Sequence, residues 1–255
     1  MPLLSETGEF TLYPGDCNTG ELETGINAQN WEVGYQFARQ CRKPYVAVGD
    51  KIYDLVQFHF HSQSEHEIDG ELADLEIHMV HRSDQKFLDL MVLAVRFNVD
   101  PEAPHRSNTE LAKYWDNFVG DRVRITNEFR SNPYLILPEN PRINYYQGSL
   151  TTPPCFEVVT WVIMDEVLSI SQGQLDQFRK LRKGAPNQWR LSEDQHSNRP
   201  VQPLNGRDTY SCDATWVLGD RIYKPSISAA SSSYVTSFTT TLACAVLSAL
   251  TLSIM

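Results

Sequence analysis

The chain has 255 residues, 41% of them hydrophobic, enough to bury a substantial core within one large domain. Its formal charge of −10 repels nucleic-acid phosphates and anionic lipid surfaces, which excludes long-range attraction to either, and no nucleic acid is expected as a partner. No internal repeat and no long run of like charge divides the sequence, so one domain with a terminal appendage is expected.

In chain order, the opening MPLLSETGEFTLYPGD shows no basic segment followed by an apolar run. The stretch QFHFHSQSEHEIDGELADLEIHMVH, residues 57–81, then gathers five of the seven histidines. Residues 52–61 (IYDLVQFHFH) and 75–81 (LEIHMVH) read as strands from their β-branched and aromatic content, joined by a polar segment that contains Asp69-Gly70. Alternation puts His59 and His61 on one face and Phe58 and Phe60 in the opposite layer. If the second strand pairs antiparallel beside the first, Glu76, His78 and Val80 share one face while Ile77, Met79 and His81 share the other. Either His78 or His81 therefore completes a three-histidine set, but not both. Further on, residues 87–99 (FLDLMVLAVRFNV) and 156–164 (FEVVTWVIM) read as buried strands. Residues 108–118 and 171–184 read as helices, the second ending at Gly184.

The C-terminal end has a different character. No charged residue follows Lys224, and the apolar run 242–255 is shorter than the roughly 20 residues of a standard membrane span. Small residues around 226–233, a polar spacer and a short apolar terminus match the pattern of a GPI-attachment signal, with a tail-anchor helix as the alternative. The expected organisation is thus a folded domain over 1–224 and a Ser/Thr-rich linker with a hydrophobic tail over 225–255. That places the protein on the extracellular face of the plasma membrane or in the secretory pathway. Such a route requires a leader, and the reading that reconciles the two ends is a chain whose natural N-terminus lies upstream. Cys244 belongs to the tail, leaving Cys17, Cys41, Cys155 and Cys212, an even number that can pair in an oxidising compartment. No CxxC spacing is present, which argues against thiolate metal binding.

Three imidazoles on a rigid sheet are the donor set of a catalytic zinc, with the fourth tetrahedral position open to water. Neutral ligands leave the metal's charge uncompensated, which favours ionisation of that water. Gln57 and Glu76 each lie two residues before a histidine, on the same face, where each can orient an imidazole through its second nitrogen. A lone strand histidine is more often a hydrogen-bonded structural residue; that is the reading for His66 and His81, while His105 and His196 fall in polar loops.

The blocks QFHFH, SEHEIDG, ELADLEIHMVH, YYQGSLTTPPCFEVVTW (145–161) and NRPVQPLNGR (198–207), in this order, resemble the α-class carbonic anhydrases over about residues 45–207. The resemblance implies a mainly β (α+β) fold, a large twisted, mostly antiparallel sheet with short peripheral helices. It implies zinc-hydroxide-catalysed reversible hydration of carbon dioxide to bicarbonate and a proton, with Zn2+ on His59, His61 and His78. Thr151 and Glu65 are implied as the hydrogen-bonded pair that orients the nucleophile, and Thr152 as the residue beside substrate and bicarbonate. Val80, Val92, Leu150, Val159 and Trp161 are implied as the apolar wall for carbon dioxide, and Arg199 and Pro200 fall in the C-terminal segment that packs back under the site, where the role expected of both is to brace the loop. The alternative is a non-catalytic member of the family serving as a surface binding module; esterase activity would be a side reaction of the enzyme.

Departures from the family pattern are specific. The usual Trp-containing stretch and Gln-Ser-Pro element before the zinc strands are absent, Ser62 stands where a Trp is common, and no histidine precedes His59 to shuttle protons. Turnover is therefore expected to depend on buffer. Cys155 matches a position that secreted members tie to an N-terminal cysteine, with Cys17 and Cys41 as candidate partners. The tail generates a direct test: phosphatidylinositol-specific phospholipase C is expected to release the protein from the cell surface, whereas retention would point to a spanning helix.

Overall fold

The computed structural model describes residues 9–13, 22–27, 32–37, 42–115, 132–138, 142–183, 198–218, 245–246 and 252–253. Strands β1 (Glu9–Tyr13), β2 (Leu22–Asn27), β3 (Glu32–Phe37) and β4 (Tyr45–Val48) precede the long β5 (Lys51–His61). Asp69-Gly70 joins the short β6 (Glu67–Ile68) to β7 (Glu71–Leu72). Both turn residues have positive φ, 54° and 84°, a backbone that an Asp-Gly pair adopts readily. Next come β8 (Leu75–Ser83), β9 (Leu90–Val99), helix α1 (Thr109–Trp115), a 3-10 turn at Pro133–Ile136, β10 (Arg142–Gly148), β11 (Val159–Ile170) and helix α2 (Gln172–Lys183). The remaining strands are β12 (Thr209–Asp213), β13 (Thr215–Leu218), β14 (Ala245–Val246) and β15 (Leu252–Ser253).

Twelve strands form one sheet in the order β13-β1-β4-β5-β8-β9-β11-β10-β12-β14, with the β2–β3 hairpin set against β5. β9 pairs with β11, and β1 with β13, in parallel; the other pairs in this sheet are antiparallel. The sheet is therefore mixed, with the antiparallel majority that the sequence predicts.

Alternation gives its centre two different faces. Phe58, Phe60, Leu75, Ile77 and Met79 enter the larger core with Met91, Leu93, Val95 and Phe97, and the helices cover this layer through Leu111, Tyr114, Trp115, Leu175 and Phe178. The opposite face carries a smaller apolar group built on Val92, Ala94, Val159, Trp161 and Ile163. Caps fix where the covering helices begin. Ser171 Oγ accepts the Gln174 N–H while Gln174 Oε1 accepts the Ser171 N–H, both at 3.2 Å, a reciprocal capping box for α2. Gln174 also bonds both backbone groups of Asn108 at 2.8 Å, and Asn108 Oδ1 caps α1 through the Leu111 N–H.

Several expected boundaries shift. The strand predicted from residue 87 begins at Leu90, and Phe87 and Leu88 are 74% and 47% exposed in the β8–β9 turn. The turn is closed by the Ser83 N–H to Asp89 carbonyl bond, and Arg82 lies over the Phe87 ring at 5.3 Å. The strand predicted over 156–164 instead runs Val159–Ile170, because residues 149–158 loop out and are pinned by the Leu150 N–H to Phe156 carbonyl bond. The Cys155 expectation is also overturned: its thiol is free, and Cys212 is the disulfide-bonded cysteine, with a partner outside the described residues. Also outside them lie Cys17, Cys41, Cys244, Gly184, His196, residues 116–118 and, apart from β14 and β15, the 225–255 tail. Among the described residues, no helix is long and apolar enough to cross a membrane.

Phe60 packs edge-on against Trp115 at 4.5 Å and against Phe178 at 6.2 Å, which joins the site strand to both helices. Phe60→Ala is expected to cost about 3–5 kcal/mol of stability, read from the urea unfolding midpoint.

Candidate active site

Register creates the site. In the β5–β8 ladder His59 lies opposite His78, His61 opposite Glu76, Phe60 opposite Ile77 and Phe58 opposite Met79. Residues directly opposed across a ladder share a face, so His59, His61, His78 and Glu76 converge while the phenylalanines turn away. His81 lies opposite Leu55 on the other side of the sheet. There Nε2 is 2.9 Å from the Tyr134 hydroxyl and Nδ1 is 3.3 Å from the Met91 carbonyl, so it serves as a structural residue. His78 is therefore the histidine that joins the pair. The His59–His61, His59–His78 and His61–His78 ring centroids are 4.8, 5.2 and 4.6 Å apart, and one nitrogen from each ring falls within 4.8 Å of the others. Gly34 on β3 pairs with His59 on β5, and a Cβ there would come within 2.7 Å of His59 Cβ, so a glycine lets the two strands approach closely at this point.

Acceptors fix which nitrogens carry protons. His59 Nδ1 is 2.7 Å from Gln57 Oε1, an amide oxygen that only accepts, which leaves Nε2 with its lone pair. His78 Nε2 is 3.0 Å from Glu76 Oε1, which leaves Nδ1 free of a proton. Glu76 is fully buried and accepts two more bonds on Oε2, from the Glu65 N–H at 2.7 Å and the His66 N–H at 3.0 Å. His66 Nδ1 reaches Glu76 Oε1 at 2.5 Å, and His66 Nε2 meets the Tyr146 hydroxyl at 3.0 Å. His66, predicted to be structural, thus shares an acceptor with His78 and belongs to the scaffold of the site. Sequence reasoning missed Tyr146, which sits in a tyrosine pair with no signal to distinguish it.

Burial keeps His59 and His78 neutral. Burial, reinforced by repulsion from His61 and His78, holds His59 well below the usual histidine range. Burial lowers His78 to about 4, against the pull of Glu76. For Glu76 burial acts upward, but His66 and His78 outweigh it and hold the carboxyl well below the ordinary range. Glu65 behaves oppositely: burial and the neighbouring Glu76 push it up to about 8, while the Arg199 N–H and a side-chain hydrogen bond from Thr151 draw it down. Its Oε1 accepts the Arg199 N–H at 2.8 Å, a backbone contact no sequence pattern announces. Its Oε2 lies 3.5 Å from His61 Nε2 and 3.8 Å from His78 Nδ1.

Beside the imidazoles stands an apolar wall. Val92, Val159 and Trp161 are buried in one cluster, and Val80 and Leu150 pack against it. Trp161 meets the His78 ring in an edge-to-face contact at 4.7 Å and anchors its indole N–H on the Ser149 carbonyl at 3.1 Å. Gly148 leaves room for this, since a Cβ would meet Tyr146 Cε2 at 2.6 Å and Trp161 Cδ1 at 2.9 Å. Thr152 follows Thr151 in a turn, its carbonyl accepting the Cys155 N–H at 2.9 Å. His59, His61, His78, Gln57, Glu76, Glu65, Thr151, Thr152 and the wall residues therefore lie on β5, β8, β9 and β11 or on the segments 62–66 and 149–152, while Arg199 and Pro200 lie on the segment 198–200. Together they form a three-nitrogen donor set with a carboxyl–hydroxyl pair and an apolar wall.

A family model described as eukaryotic-type carbonic anhydrase matches residues 11–212. The chain belongs to that family. It is 34% identical over 184 residues to a carbonic anhydrase of Nostoc sp., covering 71% of this chain and 60% of the relative. It is 33% identical over 165 residues to alpha carbonic anhydrase 3 of Arabidopsis thaliana, covering 65% and 55%. The match thus spans about 60% of the length of the curated relatives. Among solved structures, the α-carbonic anhydrase of Thermovibrio ammonificans in complex with the inhibitor sulfanilamide shares 33% identity at a TM-score of 0.60, covering 77% of this chain and 78% of that one.

The depressed histidines make acid stability predictable in metal-free protein. His59, His78 and His81, the last lowered to about 3 by burial, are neutral when folded and protonate on unfolding below the usual value of 6.5. Their contribution is complete above that value and is lost as pH falls toward the folded values. Glu65 and Asp54, both raised by burial, act with the opposite sign. The three histidines outweigh the two carboxyls, so metal-free protein should lose stability as pH falls from 6 to 5. Urea midpoints measured across that interval in the presence of chelator check it.

Proposed function

We propose that this chain catalyses the reversible hydration of carbon dioxide to bicarbonate and a proton, with Zn2+ held by His59, His61 and His78. The observation that carries the reading is a triad of buried imidazoles converging on one face of a sheet, beside an apolar wall. The donor set fits zinc: His59 and His78 are unprotonated near neutral pH, and their far nitrogens are tied to Gln57 and Glu76. When bound, the ion supplies Lewis acidity that makes water a nucleophile near neutral pH, an effect for which carbonic anhydrases are the reference case.

The residues divide the remaining work. Gln57 and Glu76 hold two rings in one tautomer and one orientation. Thr151 donates to Glu65, so its hydroxyl oxygen can only accept from the nucleophile and thereby orients it. A cation among the imidazoles would also pull Glu65 below its metal-free value, which favours the carboxylate that Thr151 needs. The wall of Val80, Val92, Leu150, Val159 and Trp161 keeps carbon dioxide in a site where water gains nothing, and Thr152 stands beside the departing bicarbonate. No histidine precedes His59, so the product proton is expected to leave through buffer. The tail composition extends the proposal to a membrane-tethered location.

Stopped-flow carbon dioxide hydration with zinc analysis on the same sample tests the reading. The full chain should hold about one zinc and turn over in a buffer-dependent manner. His78→Ala should lose the metal and more than about 100-fold in rate, while His81→Ala retains zinc. A zinc-free, inactive wild type would instead favour a binding module of the same fold.

A further inference from the structure

Arg96 on β9 is 95% shielded from solvent, although an arginine is seldom buried without a partner that needs it. Register places it directly opposite Glu76 on β8, so both side chains lie on the face that carries the histidines. On its other side β11 departs from regular pairing: the register shifts between Ile163 and Val167, and Val167 is the residue paired with Arg96. The shifted segment turns the Asp165 carbonyl toward the guanidinium, which donates to it from Nη2 at 3.3 Å. Asn144 holds the Asp165 carboxylate through a 3.0 Å bond.

This is a poor site for a purely structural arginine. A guanidinium has five N–H donors in a fixed fork, and the buried Nε of Arg96 makes no hydrogen bond among the described residues. Burial disfavours its charge, and Glu76 offers the strongest attraction, ahead of Asp165 and Asp69. The groups facing Glu76 are Arg96 from β9, His78 from its own strand, and Glu65 and His66 from the 62–66 segment. His61 faces Glu76 from directly across the ladder on β5, and Tyr146 on β10 lies behind His66, with His59 one same-face pair further along.

From this placement we infer that Arg96 is an electrostatic positioning residue: its buried positive charge tempers the Glu76 carboxylate and so limits how strongly Glu76 draws on the His78 N–H. The inference rests on the zinc reading above. A carboxylate relieved of Arg96 pulls harder on His78 Nε2–H, makes Nδ1 a stronger donor and leaves the metal less electrophilic. Removing a nearby positive charge acts in the same direction. Both effects raise the pH at which the reaction becomes active, and neither weakens attachment of a cation. A brace that merely held β8, β9 and β11 together would behave differently: its loss would loosen the ligands and speed metal loss without moving the pH profile.

The test compares wild type, Arg96→Met and Arg96→Lys in the zinc-loaded full chain. The readouts are the pH profile of kcat/KM and the rate of zinc transfer to a chromogenic chelator. Arg96→Met is expected to raise the profile midpoint by about half a unit to one unit, with zinc transfer no faster than in wild type, and Arg96→Lys to restore most of the midpoint. Should Arg96→Met fail to fold, Arg96→Gln, which keeps a donor for the Asp165 carbonyl, carries the same comparison. An unchanged midpoint, or an unchanged midpoint with faster zinc transfer, overturns the role of Arg96 while leaving the proposed function intact. A wild type that binds no zinc overturns both, and is seen before any variant is examined.

Discussion

The buried carboxylate of Glu76 is the constraint from which the rest of the site follows. An ionised group removed from water is costly unless its lone pairs are satisfied. Here two backbone N–H groups occupy one oxygen and two imidazoles approach the other. Those bonds fold residues 65 and 66 back over β8, set the tautomers of His66 and His78, and place Glu65 with an oxygen within 4 Å of both His61 and His78. A single acceptor therefore determines both the orientation of an imidazole and the location of the neighbouring carboxyl group. Its own ionisation is sustained by the histidines it orients, so geometry and charge support one another.

The sheet keeps this polar construction affordable by separating it from the core. Phenylalanines alternate with histidines on β5, so the residues that carry chemistry and those that carry stability sit on one strand and point opposite ways. The aromatic contacts of Phe58 and Phe60 with Tyr114, Trp115 and Phe178 hold the backbone, and that backbone fixes the histidine spacing. The helices need no contact with the site to define it. Their capped starts hold them against the reverse face, and the rigidity they confer reaches the imidazoles through the strand.

Much of this was legible in the sequence because strands obey a period of two. HFH at 59–61 fixed two histidines to one face, and EIH at 76–78 placed Glu76 with His78, whichever way the chain ran. Alternation could separate His78 from His81, but choosing between them required the register, which depends on where two strands meet. Contacts made by backbone groups or by distant segments were not legible. The Arg199 N–H on Glu65 joins residues far apart in the chain, and Tyr146 looks like any strand tyrosine. The Cys155 expectation failed because position in a motif does not specify where the other thiol lies. Phe87, Leu88 and Phe156 extended the predicted strands because hydrophobicity alone cannot distinguish a buried residue from one left on a rim.

The parallel pairing of β9 with β11 also bears on how the site could assemble. The β5–β8 ladder that gathers the histidines closes a short connection within contiguous sequence. The wall contributed by Val159 and Trp161 arrives only when a strand from much further along the chain docks beside β9. The added loop-closure entropy is modest, about 1 kcal/mol for a few-fold longer connection, yet non-local pairings of this kind are what slow the folding of sheet proteins. The nitrogen donors can thus assemble while their future wall is still open to water. During biosynthesis the chain would present its histidines before it encloses them, and the strand that completes the apolar wall is also the one that closes it.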